Sequence, residues 1–338
     1  MQQQVRIALP SKGRMEGETL EFLERCGLRV KKSNPRQYSA IMPAFPNVLV
    51  LFQRPRDIPV SIASGDVDLG ICGYDTVAEV KANPEYLDQI IIIHEALGYG
   101  ECALVLAVPD AWQDVQTLVD LRKRLKEGQK LRVATKYTHA VKQFLERNNL
   151  SEVKVVYADG ALEAAPSIGY ADFIADIMSS GTTLRENNLR PLIDGVIVDS
   201  QANFIGNRQA LRDRSDVFQV TEQMLELFEA HLRAKNQYMI FANMRGETRA
   251  DIVKRVRSQP DLGGLQYPTI AQLATPEDVG NWWSVSLVVA QNRLFSAIQQ
   301  IRAVGGSGVV VTPVIYIFDE RPIRIQKLAD LLKEDMPQ

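Results

Sequence analysis

The most informative stretch of this chain is Asp172–Leu189, DFIADIMSSGTTLRENNL, where an apolar run passes into a polar turn that contains a glycine. The run from Phe173 to Met178, interrupted only by Asp176, predicts a buried strand. A helix is expected to begin directly after the turn. A strand, a glycine-containing turn and a helix in this order are typical of one unit of an α/β fold.

The turn has the chemistry of an anion-binding loop. Its residues are Ser179, Ser180, Gly181, Thr182 and Thr183. Backbone N–H groups at a helix N-terminus, several hydroxyls and a glycine that permits close approach suit a terminal phosphate. Serine and threonine also favour helix caps for structural reasons alone, and the loop by itself leaves both interpretations open. It lacks the GxxxxGK[ST] pattern of a Walker A loop.

Similar units precede this stretch. The segments VRIALP (Val5–Pro10), NVLVLFQ (47–53) and VDLGICGYD (67–75) predict strands in a doubly wound sheet with mainly parallel strands. A second group of strands begins at Ala103–Val108, and GVIVDSQANFIG (195–206) is expected to return to the first group. We therefore expect an α/β, two-lobed, periplasmic-binding-protein-like catalytic region. Such folds bind ligands in the cleft where the carboxyl ends of the strands meet.

The expected domain boundaries follow from this pattern. Lobe I comprises 1–102 and 190–234, and lobe II, with the anion-binding loop, comprises 103–189. In 235–338 the order βαββαβ predicts a C-terminal ferredoxin-like domain, an architecture that amino-acid-sensing domains often use. Trp282 and Trp283 begin a strand of this domain, where alternation places one of them in the core. We assign neither a catalytic role.

Composition narrows the classes of function. The chain has 338 residues, 46% of them hydrophobic, and a formal net charge of −2. These values fit two or three globular domains without general attraction to nucleic acid or anionic membranes. Cys26, Cys72 and Cys102 contain no CxxC pair and predict buried thiols, while the three histidines form no metal-binding pattern. Because the start shows no signal pattern and no apolar run approaches bilayer length, we expect a cytoplasmic protein.

Cationic residues follow the first two predicted strands, where an open sheet presents its crevice. They are Lys12, Arg14, Arg54 and Arg56. Lysine or arginine at a strand's carboxyl end can face a pyrophosphate or triphosphate. A single surface arginine is usually only solvated, but two clusters at comparable positions favour a binding role. Gly73, Tyr74 and Asp75 end the third strand and are expected to complete the same rim of the cleft.

Acidic residues lie close to the anion-binding loop. They are Asp159, Glu163 and Asp176. Carboxylates so near a phosphate would repel the substrate unless they bind its hydroxyls or a metal ion. Glu163 also fits the start of a helix, where a negative charge is favoured.

These motifs together resemble one family, the ATP phosphoribosyltransferases. LPSKGR, RPRDIP and VDLGICGYD resemble its first lobe, and GYGECALVLAVP and LRVATKY resemble its second. The segment EAAPSIGYADFIADIMSSGTTLRENNL is similar to its phosphoribosyl-pyrophosphate loop and is the most specific match. YPTIAQL and GGSGVVVTPV extend the likeness into the last domain, which implies the long, feedback-regulated form.

The resemblance implies a magnesium-dependent reaction at the start of histidine biosynthesis. Adenine N1 of ATP attacks the anomeric carbon of phosphoribosyl pyrophosphate, and pyrophosphate leaves. By the same resemblance, the loop 179–183 holds the 5-phosphate, and Asp176 and Glu163 lie near the ribose and the metal. The four cations neutralise pyrophosphate and triphosphate, and residues 73–75 border the nucleotide.

The resemblance also implies that the last domain binds histidine and that hexamers interconvert with dimers. The residues in the matching strands and turn are Leu265, Thr269, Val288 and Ser307. Two features depart from the family's pattern. Tyr267 stands where a small residue is common before Pro-Thr, and IFANM lacks the acid that would pair with the amino group of histidine.

Two other classes of protein compete with this interpretation. A cytoplasmic small-molecule sensor on a binding-protein fold would have the two-lobed cleft without catalysis, but it requires neither a phosphate loop nor two cation clusters. A prephenate dehydratase would combine a similar cleft with a ferredoxin-like domain, but its chemistry requires no loop such as SSGTTL.

Overall fold

The computed structural model describes residues 4–32, 34, 37–86, 88–276, 280–320 and 322–334. The strands are β1 (Val5–Pro10), β2 (Ser39–Met42), β3 (Phe45–Gln53), β4 (Leu69–Gly73), β5 (Ile90–His94), β6 (Cys102–Pro109), β7 (Arg132–Thr135), β8 (Lys154–Tyr157), β9 (Phe173–Met178), β10 (Leu189–Ser200), β11 (Ala202–Asn207), β12 (Gln237–Arg245), β13 (Thr269–Gln272), β14 (Trp282–Ala290) and β15 (Gly306–Pro313).

The α-helices are α1 (Gly13–Arg25), α2 (Asp57–Ala63), α3 (Tyr74–Lys81), α4 (Leu118–Lys126), α5 (Thr138–Arg147), α6 (Thr182–Glu186), α7 (Arg208–Asp213), α8 (Ser215–Ala234), α9 (Arg249–Arg257), α10 (Leu294–Ala303) and α11 (Ile323–Glu334). Within the described ranges, every helix is too short or too polar to cross a membrane. The described residues of Met1–Glu226 and Arg321–Gln338 form one compact unit, and those of Leu227–Glu320 form another.

The first lobe of the larger unit is built on a six-stranded sheet in the order β2-β3-β1-β4-β11-β5. Its centre, β3-β1-β4, is parallel, as the sequence predicted, whereas β2, β11 and β5 pair antiparallel. The sheet is therefore mixed rather than mainly parallel. Strands β1, β4, β5 and β11 are almost wholly buried because helices cover them, whereas β2 and β3 are partly exposed. Side chains such as Ile58, Val77 and Ile205 share one core.

The second lobe is built on a five-stranded sheet in the order β10-β6-β9-β7-β8. Strands β9, β7 and β8 are parallel, and β6 runs antiparallel to both β9 and β10. Leu106, Leu121, Val133 and Phe173 belong to its buried core. Both lobes are thus α/β layers, as expected.

The chain crosses between the two sheets at Gln201. The sequence placed all of 190–234 in lobe I, but β10 pairs with β6 in the second sheet, with Ser200 opposite Cys102. Only β11 joins the first sheet, beside β4 and β5. The difference arises because β10 and β11 follow each other directly, with only Gln201 between them, yet pair in different sheets.

The smaller unit has the ferredoxin-like order that the sequence predicted. Its antiparallel sheet runs β13-β14-β12-β15, and Ile252 of α9 and Ile301 of α10 share its core with Trp283. Trp283 is 8% exposed. The guanidinium carbon of Arg245 lies over the ring of Trp282, 4.6 Å from the ring centroid. The unit ends before the expected boundary of 338, because α11 contacts α7 and β5 of the larger unit.

Candidate active site

The parallel strands of the first lobe bring its predicted cations to one edge of the sheet. Pro10 of β1 lies opposite Gln53 of β3, and the Ser11 N–H donates to the Gln53 carbonyl at 2.8 Å. Lys12 and Arg54, which directly follow these positions, are exposed at this edge. Arg14 is also exposed, and its Nε lies 2.8 Å from Oε1 of Glu18 in the next turn of α1. The first lobe therefore presents a cationic rim.

The second lobe collects its polar residues in the same way. Thr135 of β7 lies opposite Tyr157 of β8, and Ala134 lies opposite Ile174 of β9. These parallel strands end beside Lys136, Asp159 and the loop that follows Met178. Residues that are 40 positions apart in sequence are therefore neighbours at one edge of the sheet.

Arg56 joins the two rims across the cleft. Its Nη2 donates to the carbonyl oxygen of Lys136 at 2.8 Å, and its Nη1 lies 3.7 Å from Oδ2 of Asp159. The guanidinium is also 6.0 Å from the ring of Tyr137. Two residues that the sequence analysis singled out, Arg56 and Asp159, thus meet although they belong to different lobes.

Asp75 makes a second bridge between the lobes. Its side chain is 7% exposed; Oδ1 accepts from the Ser200 hydroxyl at 2.8 Å, and Oδ2 accepts from the Tyr137 hydroxyl at 2.7 Å. Burial and the charge of Asp75 both raise the pKa of Tyr137, which keeps this hydroxyl protonated as a donor. A Cβ atom at Gly73 would lie 2.3 Å from Oδ1 of Asp75, so the glycine is required for this close approach.

Tyr74, the third member of the predicted rim, lies at the start of α3. Its side chain lines two cavities of about 450 and 400 Å³, and Asp199 of β10 lines both as well. Tyr74 therefore borders the junction of the lobes, between Asp75 and the crossing strand.

The anion-binding loop has the expected strand–turn–helix form. Gly181 has φ = +72°, a left-handed conformation that favours glycine, and α6 begins at the next residue. The hydroxyls of Ser180 and Thr182 lie 3.0 Å apart. Arg185 donates from Nη2 to the Ser180 carbonyl at 3.3 Å and to the Thr182 hydroxyl at 3.2 Å. The loop therefore offers exposed hydroxyls beside a guanidinium that the sequence analysis missed.

Asp176 is the most buried carboxylate near this loop. Burial raises its pKa, and the nearby Lys136 ammonium, whose Nζ is 3.5 Å from Oδ1 of Asp176, partly lowers it. The charge of Glu163 raises it further, which places the two carboxylates within electrostatic reach of each other. In the part of the chain that the structure describes, no three His, Cys, Asp or Glu side chains form a metal cage. Mg²⁺ usually takes only one or two carboxylates together with substrate phosphates, so Asp176 and Glu163 fit such an ion.

The four residues predicted to sense histidine lie in the smaller unit. Thr269 of β13 lies opposite Ser286 of β14, and Val288 of β14 lies opposite Met239 of β12. Ser307, at the start of β15, donates from its hydroxyl to the Asn243 carbonyl at 3.3 Å. Leu265 is 54% exposed in the loop before β13.

Several residues of the site escaped the sequence analysis. They are Lys136, Tyr137, Arg185 and Ser200. Lys136 and Tyr137 had a usable signal, because they follow a strand of the second lobe just as Arg54 and Arg56 follow one of the first. Ser200 had no such signal in the sequence, because its role depends on its position opposite Cys102 in the sheet and on its hydrogen bond to Asp75.

Comparison with known proteins bears on this arrangement. A family model described as HisG, ATP phosphoribosyltransferase, matches residues 54–229, and one for the HisG C-terminal domain matches 234–316. ATP phosphoribosyltransferase 2, chloroplastic, of Arabidopsis thaliana is 44% identical over 333 residues, covering 96% of this chain and 80% of that protein. ATP phosphoribosyltransferase of Sulfolobus acidocaldarius is 32% identical over 311 residues, covering 92% of this chain and 98% of that protein.

A solved structure with a similar fold supports the family assignment of the fold. The ATP phosphoribosyl transferase (HisG:HisZ) complex from Thermotoga maritima matches with a TM-score of 0.51 at 23% identity. The match covers 67% of this chain and 98% of that one. At this identity the likeness concerns the fold.

Proposed function

Because the chain belongs to the ATP phosphoribosyltransferase family, whose reaction begins histidine biosynthesis, we propose that the cleft between its lobes joins ATP to phosphoribosyl pyrophosphate. The observation that carries this proposal is the contact of Arg56, from the cationic rim of the first lobe, with Lys136 and Asp159 of the second lobe. These residues follow the carboxyl ends of parallel strands, three in each sheet, and the phosphate-type loop follows β9 in the second sheet.

The loop 179–183 holds the 5-phosphate of phosphoribosyl pyrophosphate. The left-handed Gly181 lets the phosphate approach the backbone, and the hydroxyls of Ser180 and Thr182 donate to its oxygens. Arg185 already contacts this loop and supplies a cation beside it. The ribose lies toward Asp176 and Glu163, whose carboxylates accept hydrogen bonds from its hydroxyls.

Lys12, Arg14, Arg54 and Arg56 neutralise the pyrophosphate and the triphosphate of ATP. Adenine N1 carries a lone pair of its own, so the attack requires no strong general base. The rim must instead hold both substrates in line and stabilise the charge on the departing pyrophosphate. Such positioning can supply roughly 7–11 kcal/mol of a barrier.

Mg²⁺ is the divalent ion that this carboxylate set suits, with Asp176 or Glu163 as its protein ligand. When bound, the ion supplies positive charge to the leaving pyrophosphate. Lys136, 3.5 Å from Asp176, holds that carboxylate in place and limits the repulsion between it and the substrate.

The smaller unit senses histidine, through Leu265, Thr269, Val288 and Ser307, and lowers the activity of the cleft. The active protein is an oligomer, with hexamers and dimers in exchange, and it works in the cytoplasm. The resemblance to the family suggests the sensing role and the oligomer, and the ferredoxin-like order of the unit supports the first of them. The cytoplasmic location is proposed from the sequence pattern alone.

Thermal unfolding with single ligands tests the substrate assignment before any turnover is measured. Phosphoribosyl pyrophosphate with Mg²⁺ should raise the melting temperature, since a ligand that binds only the folded state stabilises it by RT ln(1 + [L]/Kd). Prephenate should leave the melting temperature unchanged. The loop variant Thr182→Val should lose the response to phosphoribosyl pyrophosphate. A response to prephenate alone would assign the cleft to the rival class.

A further inference from the structure

Helix α5 of the second lobe begins without a cap of its own. Its N-cap residue, Tyr137, provides no capping side-chain hydrogen bond, and its first turn contains no acidic residue. The first N–H groups of a helix have no partners within the helix, so a carboxylate or hydroxyl from elsewhere must satisfy them.

The missing cap comes from the other lobe. Glu79 of α3 has a side chain that is 12% exposed, and its carboxylate accepts from the N–H of His139 at 3.0 Å and from the N–H of Ala140 at 2.9 Å. Oε1 of Glu79 is also 3.0 Å from Nδ1 of His139 and 3.4 Å from the Thr138 hydroxyl. One side chain of the first lobe thus caps a helix of the second.

The same face of α3 also contacts Tyr137, the N-cap residue of α5. Asp75 lies four residues before Glu79, so the two side chains stand one turn apart on one face of α3. Asp75 accepts from the Tyr137 hydroxyl, and Glu79 accepts from the amides that follow Tyr137. Residues 137–140 are therefore held at two points by a single helix of the opposite lobe.

We propose that Glu79 is a positioning residue for the transfer reaction. By capping α5 across the cleft it fixes the segment that leads into the helix, including Lys136, whose carbonyl accepts from Arg56 and whose ammonium lies beside Asp176. Glu79 itself is not required to touch the substrates. The inference rests on the proposed function, because its consequence is measured on that reaction.

Removal of the carboxylate should slow turnover without weakening the hold on phosphoribosyl pyrophosphate. In Glu79→Ala, kcat should fall about tenfold, since displacements on the order of 1 Å in a cleft can cost up to about 10²-fold. The KM for phosphoribosyl pyrophosphate should stay within about twofold, since its phosphate loop belongs to the second lobe alone. Amide exchange of 138–141 should accelerate about 2- to 30-fold, the range expected for a lost helix cap.

A second variant separates positioning from capping. Glu79→Ala combined with Thr138→Asp gives α5 an acid in its own first turn, whose charge stabilises the helix start within the second lobe but gives no link to the first. Slow exchange at 138–141 should return in this double variant while kcat stays low. The matched control is Glu146→Ala, at an exposed position of the same helix, which should change neither property.

Three results would overturn the inference. In the first, Glu79→Ala matches Glu146→Ala in both kcat and amide exchange. In the second, kcat recovers together with the slow exchange in the double variant. In the third, Glu79→Ala accelerates the exchange but leaves kcat unchanged. A wild-type protein without transferase activity that still shows faster exchange in Glu79→Ala would refute the proposed function but not the cross-lobe cap.

Discussion

Replacement of Tyr137 with phenylalanine removes one oxygen atom from the contact between the lobes. The lost hydroxyl donates to a carboxylate, Asp75, that is 7% exposed and also accepts from the Ser200 hydroxyl. Hydrogen bonds to charged groups contribute about 1.5–3 kcal/mol, and a buried group left without a partner adds its own desolvation penalty. We expect Tyr137→Phe to lower the free energy of unfolding by about 2 kcal/mol.

Urea unfolding followed by circular dichroism measures this difference. With slopes of about 2–3 kcal/mol per molar urea, the midpoint should fall by about 0.7–1 M while the slope stays constant. Tyr157→Phe is the matched control, because it removes the same atom from a side chain that is 57% exposed. Equal midpoints for the two variants would show that the buried hydrogen bond does not hold the lobes together, and the account of Asp75 as a bridge would be wrong.

Three further changes probe other parts of the cleft. Arg56→Ala should lower kcat/KM for ATP and phosphoribosyl pyrophosphate at least about tenfold, as loss of a charge-stabilising donor does; steady-state kinetics close to wild type would remove Arg56 from the site. Asp176→Asn should raise the melting temperature at neutral pH and lower kcat, because burial raises the pKa of Asp176 and its ionised form destabilises the fold; a lower melting temperature would contradict this. Arg324 lowers the pKa of Glu95 to about 2 from 4.5, so the pair's stabilisation is complete above pH 4.5 and is lost as the pH falls toward 2. The melting temperatures of wild type and Arg324→Gln should therefore differ at pH 6, and the difference should shrink as the pH falls from 4.5 toward 2; a constant difference would exclude this linkage.

Local patterns were sufficient to predict much of the fold. The six elements of the smaller unit follow from strands of alternating polarity and helices of period 3.6, and the sheet order β13-β14-β12-β15 is the one their connections predict. The strand–turn–helix form of the loop 179–183 could also be predicted from the sequence, because its glycine takes the left-handed conformation that such a turn requires.

The point at which the chain passes from one lobe to the other could not be predicted from local sequence patterns. No proline or glycine separates β10 from β11, and the two strands join different sheets around Gln201. Which sheet a strand joins depends on its pairing partner, β6 or β4, and a single sequence does not encode that choice locally.

The hydrogen bond between Asp75 and Tyr137, which joins the lobes, could not be predicted from the sequence for a related reason. Asp75 follows the end of a predicted strand, but its partner Tyr137 lies 62 residues later in the chain. The sequence predicts that both strand ends are polar, but not that a carboxylate near the end of one becomes buried against a hydroxyl of the other. The contact that Asp75 makes between the lobes therefore became visible only in the structure, and its role beside the nucleotide stays a prediction.

Pyrophosphate release by the purified protein tests the assignment of the cleft most directly. The reaction is followed with ATP, phosphoribosyl pyrophosphate and Mg²⁺, with pyrophosphatase present to draw the equilibrium forward, and with histidine added or omitted. We expect release that requires both substrates and that histidine suppresses. Release without histidine sensitivity would contradict the sensory role of the smaller unit, and no release across a range of Mg²⁺ and salt concentrations would contradict the transferase itself.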